Sequence, residues 1–282
     1  MFLHSDSSRT TVLPYYTTWH LSANYGKLYF IRRDRMRYTV VCRQDGNTQS
    51  VAERVRSTLD SAGWIHCEDD PQLVICIGGD GTLLYGVHQY MHSVNDLMFL
   101  GIHTGTLGFF TDYTQDELDL CLNDLLHKKP QIFSSRLLKI EVDTIRDPFY
   151  ALNEMRVENV IHSQSTDIYV DDEFFESGSG SGICLSTQAG STALNRSLKG
   201  AVIDSGLSVM QLAEITPIQH SKHRSLGNPY IMMESRKVRI VSDDFQTALL
   251  GYDHKSVPLL NAREVRAAMS DKLVHFARYR QY

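Results

Sequence analysis

Apolar positions along the chain follow two periods, one before and one after Pro130. In the first part, short unbroken apolar runs alternate with segments whose apolar residues are three or four apart. RYTVVC, from Arg37, reads as a first strand. Asn47 or Thr48 can cap a helix that carries Val51, Val55, Leu59 and Ala62 on one face, and Gly63 stops it. LVICIG, from Leu73, is uncharged and rich in β-branched residues, which fits a strand covered on both faces. Leu83, Leu84, Val87, Tyr90 and Met91 follow at helical spacing, and residues 97–102 make a third strand. Thr114, with Glu117 three residues later, opens another helix carrying Leu118, Cys121, Leu122, Leu125 and Leu126 by the capping-box pattern. This alternation predicts right-handed crossovers and a Rossmann-like layer.

After Pro130 the period falls to 2: Leu138, Ile140 and Val142 alternate with Lys139 and Glu141. Residues 150–160, 166–176, 183–187, 237–242 and 247–252 are candidate strands, with an Asp171-Asp172 turn inside the second. The expected fold class is α/β plus β, a Rossmann-like N-terminal domain and a β-rich C-terminal domain with the site between them. Expected boundaries are 36–133 for the first domain, 134–252 for the second, and 253–282 for a C-terminal segment. Residues 1–35 carry no sustained periodicity and are expected to form an N-terminal extension, with Met36 an alternative start.

Composition narrows the class. The chain has 282 residues, room for two domains, and its 42% hydrophobic and 22% charged residues are those of a globular protein. A net charge of -5 argues against a general nucleic-acid binder. No run approaches the roughly 18 apolar residues of a membrane span, and none near the start forms a signal core, so a cytoplasmic protein is expected. The five cysteines are scattered and never in a C-x-x-C pair, as expected of small buried hydrophobes. His220 and His223 in HSKH have helical ligand spacing, but their Ser, Lys and Arg neighbours suit a solvated loop, and no transition metal is assigned.

The candidate chemistry begins where LVICIG empties into GGDGT. Gly78, Gly79 and Gly81 let the backbone approach a ligand, at the strand's C-terminal end and near a helix N-terminus, where open α/β sheets bind nucleotides. The motif has neither the Gly-Lys-Ser/Thr ending of a phosphate-binding loop nor the GxGxxG fingerprint. A carboxylate at Asp80 repels a bare phosphate and suits a hydroxyl or a magnesium ion, and it can take a proton during phosphoryl transfer. Gly-Asp-Gly is also ordinary turn chemistry.

The third strand ends in a second glycine loop, GIHTGTLGFF, which can meet the first across a crevice. There Phe109 is either a platform for a base or a core residue. ESGSGSG, from Glu176, reads as a functional loop instead of a linker because it leads into residues 186–201, STQAGSTALNRSLKGA. That run suits a ribose or phosphates, or an ordinary helix start. Asn153 and Glu154 sit in a candidate strand, where neighbours face opposite sides, so both reach one ligand only where the strand breaks.

With these features in this order, the chain resembles the NAD kinases, ATP-dependent enzymes that phosphorylate the adenosine 2′-hydroxyl of NAD. The resemblance spans residues 36–282 and rests on Gly78 to Thr82, Gly108-Phe109, Asn153-Glu154 and residues 186–201. It implies Asp80 as catalytic base and ribose contact, with Gly81 beside it and Phe109 near the adenine. It implies Asn153 and Glu154 on the ribose, and Thr192, Ala193, Asn195 and Ser197 at the adenine end. Asp253-His254 matches a family Asp-His pair, which brings His254 to the site. The resemblance further implies a last segment returning to the first domain, magnesium with ATP, and a homotetramer or homodimer.

Departures from the family pattern are Ser181 for an aspartate, Gln188 for a proline and Leu194 for a tyrosine. Ser181 and Leu194 stand where the family faces NAD, often across a subunit interface. They keep an NAD(P)-binding paralog with weak or no kinase activity as the alternative. A lipid or sugar kinase sharing GGDGT is a second alternative, opposed by Asn153-Glu154 and the Thr192 region.

Overall fold

The structure, a computed structural model, describes residues 35–105, 108–218 and 225–280. His220, His223 and all but the last residue of the expected N-terminal extension lie outside the described residues. Strand β1 (Arg37–Cys42), helix α1 (Gly46–Ser61), β2 (Ile65–His66), β3 (Leu73–Gly78), α2 (Asp80–Gln89) and β4 (Met98–His103) come first. A short β5 (Tyr113–Thr114) and α3 (Leu118–His127) follow. Strands β1 to β5 pair in parallel, with Val40 opposite Ile75 and Ile75 opposite Leu100. Every residue of β3 is buried, as its uninterrupted apolar run requires. The α1 cap is Asp45, whose carboxylate accepts from Thr48 N, and neither Asn47 nor Thr48 caps it. Asp45 pairs with Arg43 and precedes Gly46, so its extended backbone can face the helix end. The Thr114–Glu117 capping box forms as expected.

The remaining regular elements are almost all strands: β6 (Gln131–Val142), β7 (Phe149–Ala151), β8 (Glu154–Glu158), β9 (Gln164–Val170), β10 (Glu173–Gly180) and β11 (Gly182–Ser186). After a four-residue helix α4 (Leu194–Ser197) come β12 (Val209–Ile215), β13 (Tyr230–Met233), β14 (Lys237–Val241), β15 (Leu249–Tyr252), β16 (Lys255–Pro258) and β17 (Glu264–Arg278). Strands β13-β12-β11-β8-β15-β16 form an antiparallel six-stranded sheet. The others extend the first sheet, in the order β10-β9-β14-β17-β4-β3-β1-β2. β17 joins the parts, pairing antiparallel with β14 and β6 and, at His275 and Phe276, parallel with β4.

Three strand expectations change. ESGSGSG is not a loop: Glu176–Gly180 continues β10 against β9, and Gly182 begins β11. Its Ser-Gly alternation is a strand with one nearly bare face, and it leaves Gly180 close under the carbonyls of Ile215 and Thr216. Residues 150–160 are not one strand, because the chain breaks between β7 and β8 at Leu152 and Asn153. Strands β12, β13, β16 and β17 were absent from the sequence expectation, since VMQLAEI and the long β17 show no clean period of 2. The Asp171-Asp172 turn does form, with both residues at positive φ in a two-residue hairpin loop.

Two apolar cores flank the site. One lies between the parallel strands and α2 and includes Val74, Cys76, Leu84, Val87, Phe110, Leu152 and Phe276. The other lies between the two sheets and includes Leu138, Met155, Val157, Leu185, Ile240 and Leu250. Leu152 belongs to the first and Met155 to the second, so Asn153 and Glu154 sit where the two cores meet.

Candidate active site

Parallel pairing puts both glycine loops on one edge, since Gly78 at the end of β3 pairs with His103 at the end of β4. The loops touch. Asp80, the first residue of α2, accepts hydrogen bonds from Phe109 N (3.0 Å) and Phe110 N (3.1 Å). A Cβ on Gly108 would overlap the Asp80 carboxylate, so this approach requires glycine. Gly81 is exposed with open space around it. The two phenylalanines separate: Phe110 is buried and stacks on Phe276 at 5.5 Å, whereas Phe109 is 58% exposed at the mouth of the loop.

Asp253 organises the opposite wall. Its carboxylate accepts from Leu152 N (2.8 Å), from Asn153 N (2.7 Å), and bonds His88 Nε2 at 2.8 Å near the end of α2. The same helix that starts at Asp80 is thereby tied to the break between β7 and β8. Asp253 itself has a φ of 50°, in the tight turn from β15 to β16, which aims its side chain back at that break. His254 beside it is exposed, with its ring 5.0 Å from His88 and 6.2 Å from Tyr85. Burial, then the nearby His88 and Lys255, lower its pKa.

The break between β7 and β8 frees Asn153 and Glu154 from strict strand alternation. Both are buried, and among the described residues Asn153 Oδ1 and Glu154 Oε2 are buried oxygens with no hydrogen-bond partner. Burial, and then the Asp253 charge, push the Glu154 carboxyl up to about 7, while Arg156 opposes the shift. Residues 187–190 close over Asn153: Thr187 N donates to its carbonyl (2.8 Å), Gly190 N donates to Thr187 Oγ1 (3.1 Å), and a Cβ on Gly190 would overlap Asn153. From this platform Thr192 and Ala193, half-buried, lead into α4. Asn195 is fully buried: its Nδ2 donates to Ser191 O and Ala201 O, and its Oδ1 is a third orphan acceptor. Ser197 is exposed.

Ser181 is not brought to this wall within one chain. Gly182 pairs with Glu158 and Ser186 with Glu154, so Ser181 lies five residues along β11 from the Glu154 level, about 17 Å at roughly 3.4 Å per residue. Its hydroxyl accepts from Thr216 Oγ1. Sequence reasoning missed His88, Thr187 and the role of Asp253. A helical histidine eight residues after Asp80 was the available signal, but only the fold supplies its partner.

Three orphan atoms, all acceptors, call for a ligand that donates hydrogen bonds, as the hydroxyls of a ribose do. Such donors suit these acceptors better than a bare phosphate does, and the glycine loop carries an aspartate where phosphate-binding loops carry lysine. Comparison with known proteins narrows this reading. Residues 20–130 match the ATP-NAD kinase N-terminal domain and residues 152–279 the ATP-NAD kinase C-terminal domain. The first match begins sixteen residues before Met36, inside the stretch expected to lie outside the family pattern.

An NAD kinase from Lactobacillus gasseri is 32% identical over 86% of this chain and 92% of its own, and one from Levilactobacillus brevis 34% over 87% and 93%. Among solved structures, yeast NADH kinase complexed with NADH superposes with a TM-score of 0.75 at 17% identity, over 86% of this chain and 83% of that one. An Archaeoglobus fulgidus NAD kinase in complex with ATP superposes with a TM-score of 0.71 at 21% identity, over 86% and 94%. The chain belongs to the NAD kinase family of phosphotransferases.

Proposed function

We propose that the protein transfers the γ-phosphoryl group of ATP to the adenosine 2′-hydroxyl of NAD, forming NADP and ADP. The observation that carries this reading is the buried acceptor pair Asn153 Oδ1 and Glu154 Oε2, linked through Asp253 and His88 to the helix that Asp80 begins. In this reading Asn153 and Glu154 hold the ribose hydroxyls, and Asp80 takes the proton of the attacking hydroxyl. The new O–P bond forms as the bond to the β-phosphate oxygen breaks and ADP leaves. Asp80 keeps lone pairs for this, because two amide donors leave a carboxylate about two further acceptor sites. Gly81 leaves room beside it, exposed Phe109 offers the adenine a ring, and Thr192, Ala193, Ser197 and His254 complete the rim, with buried Asn195 behind it.

Magnesium enters with ATP in this proposal. Among the described residues no three His, Cys, Asp or Glu side chains group to hold a metal, and magnesium characteristically binds substrate phosphates. We also propose a homodimer or homotetramer, supported by Tyr230, Ile231 and Met233 exposed on the edge strand β13. Cytoplasmic location belongs to the same proposal; no helix among the described residues is long and apolar enough to cross a membrane. The domain limits proposed remain 36–133 and 134–252, with 253–282 returning through β17.

Purified protein with magnesium, ATP and NAD, assayed by an NADP-specific coupled reaction, tests the activity. NADP formation is expected. Measurable NAD binding with no NADP at high NAD would favour the non-catalytic paralog, to which Ser181 and Leu194 point.

A further inference from the structure

The last residue of β17, Arg278, lies far from Asp80 in sequence, yet both hold the same peptide group. Arg278 Nη2 donates to Phe109 O at 3.3 Å. The N–H of that same peptide, on Phe110, donates to Asp80 Oδ1 at 3.1 Å, and the preceding N–H, on Phe109, donates to Oδ2 at 3.0 Å. The guanidinium is mostly buried and paired with Asp112, whose side chain is almost wholly buried and whose N–H donates to Gly101 O at the end of β4. It also faces Phe276, on which Phe110 stacks.

We propose that Arg278 is a positioning residue for Asp80, acting through the Phe109–Phe110 peptide. The loop contains Gly105 and Gly108, and of its two phenylalanines only Phe110 packs inward, whereas Phe109 projects outward. Something must aim its two N–H groups at the carboxylate. Arg278 does so with a planar fork, one arm on a buried carboxylate and the other on the peptide carbonyl, a geometry lysine cannot reproduce. A cation at the carbonyl end and an anion at the N–H end also polarise the peptide in one sense, which strengthens both hydrogen bonds. The C-terminal strand thereby reaches into the reaction without touching substrate.

This inference rests on Asp80 being the base, so its test separates the two. Arg278→Gln removes the fork. Arg278→Gln with Asp112→Asn removes both charges together, so no buried carboxylate is left unpaired if the single variant folds poorly. In each, kcat for NADP formation is expected to fall about 10- to 100-fold, the scale of a misplacement near 1 Å. NAD affinity by calorimetry is expected to fall less than kcat, because Asn153 and Glu154 are untouched and only the Phe109 ring shares in the shift of the loop. Arg278→Lys is expected to recover only part of kcat. In an Asp80→Asn background the Arg278→Gln change should cost nothing further. Independently of activity, amide exchange measured by mass spectrometry should accelerate over residues 108–112 and not over residues 152–158. Unchanged kcat, an equal loss in the Asp80→Asn background, or unchanged exchange over 108–112 would overturn the proposal. A wild type that makes no NADP would overturn the kinase reading instead, and the exchange measurement would still decide the anchor.

Discussion

His88 Nε2 lies 2.8 Å from Asp253 Oδ2, and both side chains are almost wholly buried. His88 rides on the helix that Asp80 begins, whereas Asp253 grips the N–H groups of Leu152 and Asn153, so one contact ties the Asp80 helix to the strand break at Asn153. Asp253→Asn exchanges an acceptor oxygen for a donor and leaves at least one of these buried N–H groups unpaired, at roughly 1–3 kcal/mol. The expected outcome is a lower melting temperature and a fall of about tenfold or more in kcat/KM for NAD, read by calorimetric scanning and steady-state kinetics. Unchanged values for both would remove Asp253 from its organising role.

Asp80→Asn keeps the side chain's shape but removes the proton acceptor. Loss of a general base typically lowers turnover by about 10² to 10⁴. NAD affinity is expected to fall much less, because Asn153 and Glu154 remain. Near-wild-type turnover in a folded variant would reject the base assignment.

Glu154 gives the site a pH signature, because its carboxyl titrates near 7 instead of near 4.5. In the proposed role the ionised carboxylate is the stronger acceptor for ribose hydroxyls, so NAD affinity is expected to rise between about pH 6 and 8 and to level off above. Stability runs the other way. A folded-state pKa above the unfolded value contributes stability that is fully present below about 4.5 and lost as pH rises through 7. Glu154→Gln should therefore melt higher than wild type at pH 8 while binding NAD more weakly and without this pH dependence. Parallel melting curves and calorimetry at pH 6 and pH 8 check both halves.

Ser181 and Leu194 occupy positions where the resemblance places a carboxylate and a phenol against NAD. Charged hydrogen bonds are worth roughly 1.5–3 kcal/mol and aromatic contacts about 0.5–1.5 beyond area. Ser181→Asp with Leu194→Tyr is expected to tighten NAD binding by one or more orders of magnitude, on the scale of about 1.4 kcal/mol per tenfold. Because Ser181 sits far along β11 from Glu154, the Ser181 share of this gain requires a second copy of the chain. Equal or weaker binding in the double variant would show that these positions do not face the ligand.

A chain starting at Met36 retains every described core strand, including the Ile65 N to Met36 O bond that closes β1 on β2. It is expected to keep its melting temperature and activity. A drop of many degrees would assign a packing role to the preceding residues, and a comparison with a chain starting at residue 20 would locate it.

The parallel layer was legible in the sequence because its signals are local: a six-residue apolar run buried on both faces, glycines at its end, and a capping box at Thr114 and Glu117. The same holds for the residue types at the site, since GGDGT, Asn153-Glu154 and residues 186–201 announce acceptors and close backbone approach by composition alone. What they share was not legible. A strand's period of 2 puts Asn153 and Glu154 on opposite faces, and only the break after β7, held by Asp253 about a hundred residues away, turns both into one wall. Likewise Ser-Gly alternation reads as a loop until β9 supplies its hydrogen bonds, and Phe109 and Phe110 look alike until Phe276 claims one and leaves the other exposed. For the Ser-Gly strand the partner is the neighbouring hairpin strand; for Asn153-Glu154 and for the two phenylalanines it lies far along the chain, and its contact exists only once β17 and the β15–β16 turn have closed onto the first sheet.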